Sequence, residues 1–120
     1  MTVVGIDHVQ LAMPAGAEDA ARGFYVGLLG LTEVAKPSHL VARGGAWFEN
    51  ASVRIHLGVD LEFRPAKKAH PGLLVSDLKA LLEIIRNAGH HVSDGDPREA
   101  YEHAYVDDPF GNRIELIETR

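Results

Sequence analysis

The stretch Arg54-Ile55-His56-Leu57 returns, with one change, as Arg113-Ile114-Glu115-Leu116. Each copy stands near the end of one half of the chain, and each follows an isolated histidine, His8 or His70, at a similar distance. Self-similarity of this kind indicates two related modules in tandem. It also places four side chains of metal-binding type at equivalent positions in the two halves.

The hydrophobic pattern of the first half predicts one strand, one helix and then several strands. Apolar and polar residues alternate over 3–13, which is typical of a strand with one polar face. Apolar residues recur with helical spacing from Ala21 to Leu28, and Gly30 can end that helix. Four strand-like segments, separated by glycine-rich and polar turns, complete the half: 31–35, 40–42, 46–48 and 53–59.

The second half repeats this order. Ser76 or Asp77 can cap a helix whose apolar residues run over 78–85 with helical spacing, and Gly89 closes it. A hairpin turn is predicted at 108–112, before the last strand. The strands of this half are predicted at 70–75, 91–93, 101–107 and 113–117. We therefore predict a single domain over 1–120, made of repeats 1–64 and 69–120 that are joined by the linker 65–68.

Alternation within the strands predicts where the four potential ligands point. Successive side chains of a strand face opposite sides of the sheet. His56 and Glu115 each stand between two apolar residues that would pack under a helix, so both point to the other face. His8 and His70 follow the same rule. The predicted fold class is α+β, with two tandem βαββ(β) modules forming a curved mixed sheet that lines a cup, and helices on the outside.

Composition narrows the class of protein. The chain has 120 residues, of which 46% are hydrophobic and 24% charged, as expected for one globular domain. A net charge of −5 without a basic cluster argues against nucleic acid as a partner. No apolar run is long enough for a membrane span, and no signal peptide is apparent, so we expect a cytoplasmic protein. Because cysteine is absent, any metal must be held by imidazole and carboxylate.

Three motifs are characteristic of a known family. They are Asp7-His8-Val9-Gln10-Leu11, Phe24-Tyr25-Val26-Gly27-Leu28-Leu29-Gly30-Leu31, and Asp108-Pro109-Phe110-Gly111-Asn112-Arg113-Ile114-Glu115. Together with the order of elements, they resemble the vicinal oxygen chelate superfamily, the glyoxalase and bleomycin-resistance fold built from paired βαββ(β) modules. The resemblance covers nearly the whole chain.

The resemblance implies a set of metal ligands. In that superfamily the ligands come from the first and last strands of the modules, which correspond to His8, His56, His70 and Glu115 here. His8, His70 and Glu115 are similar to the set shared by glyoxalase I, fosfomycin-resistance transferases and extradiol dioxygenases. Position 56 varies, being glutamate in glyoxalase I and glutamine in methylmalonyl-CoA epimerase. Three imidazoles and a carboxylate suit Zn, Ni, Co, Mn or Fe(II), and the ligand types do not select among these ions.

The leading functional hypothesis is a glyoxalase-like, metal-dependent lyase or isomerase. It would chelate a small oxygenated metabolite to the divalent ion and stabilise an enolate-like state, with Glu115 as both ligand and catalytic base. One alternative is an extradiol-type dioxygenase, although His56 as a fourth ligand would occupy a position that oxygen and catechol need. Another is a metal-free, ligand-sequestering protein of the bleomycin-resistance type.

Further residues are predicted to contact the small-molecule substrate. Tyr105 lies on a strand that can offer hydrogen-bond donors, and Arg98 precedes that strand. Trp47 and Phe48 are adjacent and face opposite sides, so one belongs to the core and the other lines the cup; we select Trp47 as the substrate contact. The resemblance also implies a homodimer, in which the cup closes within one chain or across two.

Overall fold

Two mixed four-stranded sheets form the framework of the protein, one in each half of the chain. The structure is a computed structural model that describes all of residues 1–120. The chain divides into two units, Met1–Phe63 and Arg64–Arg120. The chain has no helix that is long and apolar enough to cross a membrane. The predicted α+β class, with a βαβββ module in each half, is confirmed.

The sheet of the first unit has the strand order β1-β4-β3-β2. β1 pairs with β4 in parallel, and the other pairs are antiparallel. A 3-10 helix over Ser38–Arg43 lies between β2 and β3. The other elements are β1 (Val9–Met13), α1 (Glu18–Tyr25), β2 (Thr32–Val34), β3 (Ala46–Glu49) and β4 (Arg54–Val59).

The second unit repeats this topology with the strand order β5-β8-β7-β6. Its parallel pair is β5 with β8, which again joins the first and last strands of the module. The elements are β5 (Gly72–Leu74), α2 (Leu78–Asn87), β6 (Val92–Asp94), β7 (Tyr101–Asp107) and β8 (Arg113–Thr119).

Aromatic packing between α1 and the sheet forms the core of the first unit. Phe24 and Tyr25 of α1 are buried, and the ring of Tyr25 stacks on that of Phe48 with centroids 5.3 Å apart. Ile55 and Leu57 of β4 are also buried, as the alternation predicts. The core of the second unit is aliphatic and is formed by Leu78, Leu82, Ile85, Val106, Ile114 and Leu116.

Helix α2 begins with two side-chain caps. The carboxylate of Asp77 accepts a hydrogen bond from the backbone N–H of Ala80 at 3.1 Å. The backbone N–H of Leu78 donates to Glu118 Oε1 of β8 at 2.7 Å. Of the two N-cap residues that the sequence allows, the structure therefore selects Asp77.

We expect Asp77→Ala to lower the free energy of unfolding by about 1 kcal/mol, the usual loss when an N-cap acceptor is removed. Urea unfolding followed by circular dichroism measures this difference. Ser76→Ala is the matched control, because it changes the preceding residue and keeps the cap. Equal stability of the two variants would contradict the assigned cap.

Two predicted strands differ from the structure. The prediction of a strand at 40–42 is wrong, because this segment belongs to the 3-10 helix Ser38–Arg43. Pro37 precedes this helix and its carbonyl accepts from the N–H of Leu40, while Gly44, at φ 76°, ends it. The predicted strand 3–13 begins only at Val9, because its parallel partner β4 begins at Arg54 and pairing starts with Val9 opposite Ile55.

The turn between β7 and β8 fixes the register of the hairpin that carries Glu115. Asp108 Oδ1 accepts from the backbone N–H groups of Phe110 and Asn112, both at 2.9 Å. The Asn112 amide donates to Asp108 Oδ2 at 3.0 Å, and its oxygen accepts from the N–H of Ala66 at 3.0 Å. This closed turn sets Tyr105 directly opposite Glu115.

Candidate metal-binding residues

His70 and Glu115 form a close pair in the second unit. His70 Nε2 lies 3.2 Å from Glu115 Oε1. The parallel pairing of β5 with β8 places Gly72 opposite Glu115, so His70, two residues earlier, reaches the same face of the sheet. The side chains are 27% and 14% exposed, respectively. Two of the predicted ligands therefore meet within one unit.

The hydrogen bond of the second ring nitrogen, Nδ1, determines the tautomer of the His70 imidazole. Nδ1 lies 2.8 Å from the carbonyl oxygen of Lys68, which can only accept a hydrogen bond. Nδ1 therefore carries the proton, and in the neutral ring Nε2 keeps its lone pair toward Glu115. Metal-ligating histidines are commonly oriented in this way, with the other N–H donated to a carbonyl or carboxylate.

The spacing of this pair suits a shared cation. Two ligand atoms that each lie about 2.1 Å from one ion are about 3.0–3.4 Å apart in octahedral or tetrahedral geometry. The 3.2 Å between His70 Nε2 and Glu115 Oε1 falls in that range. A lone pair that faces a carboxylate oxygen also needs a proton or a cation between the two atoms. The pair thus fits a divalent ion.

The other oxygen of Glu115 is bound by a buried histidine. His103 Nδ1 lies 2.6 Å from Glu115 Oε2, and His103 Nε2 lies 2.7 Å from the carbonyl oxygen of Asp96. Both ring nitrogens therefore face acceptors. Burial lowers the pKa of His103, but hydrogen bonds to Asp96 and then to Glu115 outweigh it and raise that pKa above its usual value. The imidazolium form stabilises the carboxylate of Glu115.

His8 of the first unit has an equivalent outer partner. Its Nδ1 donates to Asp7 Oδ2 at 2.9 Å, and Arg54 donates to Asp7 Oδ1 at 2.9 Å. The hydrogen bond from His8, and then the charge of Arg54, hold the pKa of Asp7 below its ordinary value. Because Nδ1 carries the hydrogen that is donated to Asp7, the neutral ring keeps a lone pair on Nε2. His8 therefore fits a metal ion as His70 does.

His56 has a different environment. It is 4% exposed, and its ring lies between those of Trp47 and His8, with centroids 3.9 Å and 4.4 Å away. Its Nε2 lies 3.1 Å from Glu49 Oε2. The ring is thus enclosed by aromatic contacts, and Nε2 donates to a carboxylate. Glu49 is therefore the partner of Nε2, and the ring has a stacked neighbour on each face.

Two of the predicted substrate contacts, Trp47 and Tyr105, pack against histidines of the candidate set. Trp47 stacks on His56, whereas Phe48 is fully buried, so Phe48 is the core residue of that adjacent pair. Tyr105 packs edge-on against His70 with centroids 5.5 Å apart. The guanidinium of Arg113 lies 3.9 Å above the Tyr105 ring. Tyr105 is therefore beside the His70–Glu115 pair.

Arg98 is exposed and does not contact the His70–Glu115 pair directly. It donates to Asp96 Oδ1 at 3.0 Å and 3.2 Å. The same Asp96 oxygen lies 3.1 Å from His103 Nε2. Arg98 therefore reaches Glu115 only through Asp96 and His103.

No group of three or more histidine, aspartate or glutamate side chains is arranged in the structure to hold a metal ion. The potential ligands occur as the pair His70 and Glu115 in one unit and as His8 in the other. Each of these three has an outer partner that leaves one donor atom available. Within one unit, the pair His70 and Glu115 fits a divalent cation.

The contacts of His103 and Glu49 were not predicted from the sequence. A signal for His103 exists in the hairpin, because the turn at 108–112 sets residue 105 opposite 115 and makes 103 the diagonal neighbour of Glu115. The contact of Glu49 with His56 can be inferred only when the register of β3 against β4 is known. In that register Trp47 lies opposite His56 and Glu49 lies opposite Arg54, so Glu49 is a diagonal neighbour of His56.

Comparison with known proteins identifies the family. The model of the Glyoxalase/Bleomycin resistance protein/Dioxygenase superfamily matches residues 5–116. The chain belongs to this superfamily. The predicted resemblance to the vicinal oxygen chelate (VOC) fold is thereby confirmed. None of the curated proteins matches the chain.

Comparison with solved structures agrees with this assignment. A glyoxalase family protein from Bacillus anthracis is 42% identical, covers 100% of this chain and 98% of its own, and superposes with a TM-score of 0.92. The fosfomycin resistance protein FosX from Listeria monocytogenes is 15% identical over 99% of this chain and 96% of its own, with a TM-score of 0.78. TnmS3, an antibiotic binding protein from Streptomyces sp. CB03234, is 22% identical over 98% and 100%, with a TM-score of 0.68. The last two show the fold alone.

Proposed function

We propose that this VOC protein is a metal-dependent enzyme, a glyoxalase-like lyase or isomerase that acts on a small oxygenated metabolite. The observation that carries the proposal is the 3.2 Å contact between His70 Nε2 and Glu115 Oε1. In both residues the other polar atom already has a partner, which leaves these two atoms for a cation. The ion is Zn, Ni, Co, Mn or Fe(II), and the ligand types do not select among them.

We further propose His8, His70 and Glu115 as the protein ligands. The family resemblance implies this set, and each member has the outer partner described above. His56 is proposed as a packing residue, since Glu49 occupies its Nε2. This reduces the four ligands predicted from the sequence to three and leaves positions for substrate oxygens.

The bound ion would act as a Lewis acid that stabilises negative charge developing on adjacent substrate oxygens. The chain's own contribution is to orient His70 through the Lys68 carbonyl and to orient the carboxylate of Glu115 through its hydrogen bond with His103. Tyr105, next to His70, can donate a hydrogen bond to substrate through its hydroxyl. Trp47 offers an aromatic surface beside His56. Arg98, which contacts Asp96, remains a proposed substrate contact outside this group.

Glu115 was also predicted to act as a catalytic base. A carboxylate that ligates an ion and then moves a proton must exchange partners at one oxygen. The 2.6 Å contact of Oε2 with His103 opposes such an exchange. We therefore propose Glu115 primarily as a ligand.

A test of the enzymatic proposal follows the exchange of substrate protons with solvent. Protein purified without chelator is incubated in D2O with a panel of α-hydroxy-carbonyl compounds and acyl-CoA thioesters, and deuterium incorporation is followed by NMR. We expect incorporation into at least one compound, and its loss after dialysis against EDTA. Silence across the panel with metal-loaded protein would contradict the lyase or isomerase function.

The environment of His56 also favours a second candidate, an extradiol-type dioxygenase. If His56 is not a ligand, then His8, His70 and Glu115 form the two-histidine, one-carboxylate set typical of Fe(II) oxygenases with open positions. Oxygen uptake by Fe(II)-loaded protein in the presence of catechols distinguishes this function from the first. Uptake without deuterium exchange would select the dioxygenase.

The metal-free, ligand-sequestering alternative has a different signature. It requires tight binding of a small molecule by protein that holds no metal and turns nothing over. Elemental analysis of the purified protein separates it from both enzymes.

The homodimer also remains a proposal, supported by the exposed apolar side chains of Val3, Val4 and Ile6 near the N-terminus. Light scattering that shows only a monomer would exclude it.

A further inference from the structure

We infer that His103 is a positioning residue, which binds Oε2 of Glu115 and thereby makes Glu115 a fixed ligand that offers only Oε1. The inference rests on the proposed metal-binding function and deepens it. It assigns a role to a buried histidine on β7 that contacts one predicted metal ligand, Glu115. The His103 ring also lies against the ring of Tyr105, a predicted substrate contact.

The contact between the two side chains is short and shielded. His103 Nδ1 lies 2.6 Å from Glu115 Oε2, while typical charge-assisted N–H···O bonds are about 2.7–2.9 Å. The His103 side chain is 2% exposed, so water does not compete for this bond. The carboxylate therefore divides its oxygens between two imidazoles, Oε2 to His103 and Oε1 to His70.

His103 is itself held from the opposite side. Its Nε2 lies 2.7 Å from the carbonyl oxygen of Asp96, and its own carbonyl accepts from the N–H of Gly95 at 3.1 Å. A Cβ added at Gly95 would clash with Cδ2 and Nε2 of the His103 ring. The segment 95–96 thus packs directly against the imidazole, which leaves it no room to withdraw from Glu115.

This arrangement has a consequence for the ligand. A carboxylate anchored at Oε2 presents one oxygen to an ion and cannot rotate away without breaking a buried hydrogen bond. Glu115 is then ready to bind before any ion arrives. Outer partners of this kind typically contribute 10–100-fold to metal affinity.

Two amide substitutions separate the two hydrogen bonds of His103. In His103→Asn the side-chain nitrogen occupies approximately the place of Nδ1, so the bond to Glu115 is kept. In His103→Gln the nitrogen occupies approximately the place of Nε2, so only the bond to Asp96 is kept. His103→Phe retains the ring and removes both donors.

We expect His103→Gln and His103→Phe to bind Co²⁺ about 10–100-fold more weakly than the parent, as for loss of other outer partners, and His103→Asn to remain within a few-fold. Competition titration against a chromogenic chelator measures the affinity, and thermal melts confirm that each variant is folded. Parent-like affinity of His103→Gln, or an Asn variant as weak as the Phe variant, would overturn the inference.

Crystal structures of the metal-free proteins give a readout that does not depend on the ion. We expect the contact between Glu115 Oε1 and His70 Nε2 to persist in His103→Asn and to be lost in His103→Gln. If His103→Phe does not fold, the comparison of His103→Gln with His103→Asn tests the inference alone, because the two amides differ only in which hydrogen bond they keep; equal Co²⁺ affinities of these two variants overturn the inference. A parent that binds no Co²⁺ refutes the proposed function instead, and the metal-free structures still test the role of His103.

Discussion

Replacing Glu115 by glutamine is expected to weaken divalent-cation binding by more than about 100-fold, beyond the loss typical for an outer partner. Glutamine keeps the size of the side chain but removes the negative charge that binds the ion. It also leaves His103 Nδ1 facing a neutral amide instead of a carboxylate. Competition titration of the purified variant with Co²⁺ and Zn²⁺ measures the affinity.

The control for this variant is Glu102→Gln. Glu102 lies on the same hairpin, on the opposite face of β7, and is exposed. It carries the same change in charge without a contact to His70 or His103. Parent-like affinity in Glu115→Gln, or an equal loss in Glu102→Gln, would contradict the assignment of Glu115 as a ligand.

The largest expected effect on stability is that of Phe48→Ala. Phe48 has no exposed surface, and its ring stacks on Tyr25 in the core of the first unit. Removing a fully buried phenylalanine side chain typically costs about 3–5 kcal/mol, because apolar burial is lost and a cavity remains. Urea unfolding followed by circular dichroism measures the free energy of unfolding.

Leu61→Ala serves as the matched large-to-small control. Leu61 is 90% exposed, so we expect its free energy of unfolding to lie within about 0.5 kcal/mol of the parent. A loss of less than about 1 kcal/mol in Phe48→Ala would be close to the effect of an exposed substitution. It would mean that Trp47, and not Phe48, is the core residue of the pair.

Much of the fold follows from the sequence because two kinds of local pattern agree with the tertiary packing. Ile55 and Leu57 lie on one face of β4 and are buried, as alternation requires. The spacing of apolar residues in α2 matches its buried side, and Asp77 marks where the helix begins. The duplicated tetrapeptide marks equivalent strands, β4 and β8, and both pair in parallel with the first strand of their module.

The segment 38–43 shows where such patterns fail. Its alternating letters are too few to distinguish a strand from a turn of 3-10 helix, and none of its side chains is buried. The flanking Pro37 and Gly44 decide its conformation through local backbone geometry. A three-residue pattern without burial therefore carried no reliable signal.

Alternation predicted the face of each candidate ligand but not its partners. His56 points away from the helix side as expected, yet Trp47 and Glu49 from the neighbouring strand enclose it. The bond between His103 and Glu115 likewise depends on the register of β7 against β8. These partners come from strand pairings that only the folded chain specifies.

Elemental analysis of three proteins purified without chelator tests the central claim most directly: the parent, His8→Gln and His56→Gln. The two variants make the same chemical change in rings that stack on each other. His56 is the more buried of the two, so the larger packing loss falls on the variant that is expected to keep the metal. We predict about one equivalent of a divalent metal in the parent and in His56→Gln and almost none in His8→Gln, because of these two histidines only His8 is proposed as a ligand. A parent without stoichiometric metal, or a His56→Gln variant that loses the metal as His8→Gln does, would contradict the account.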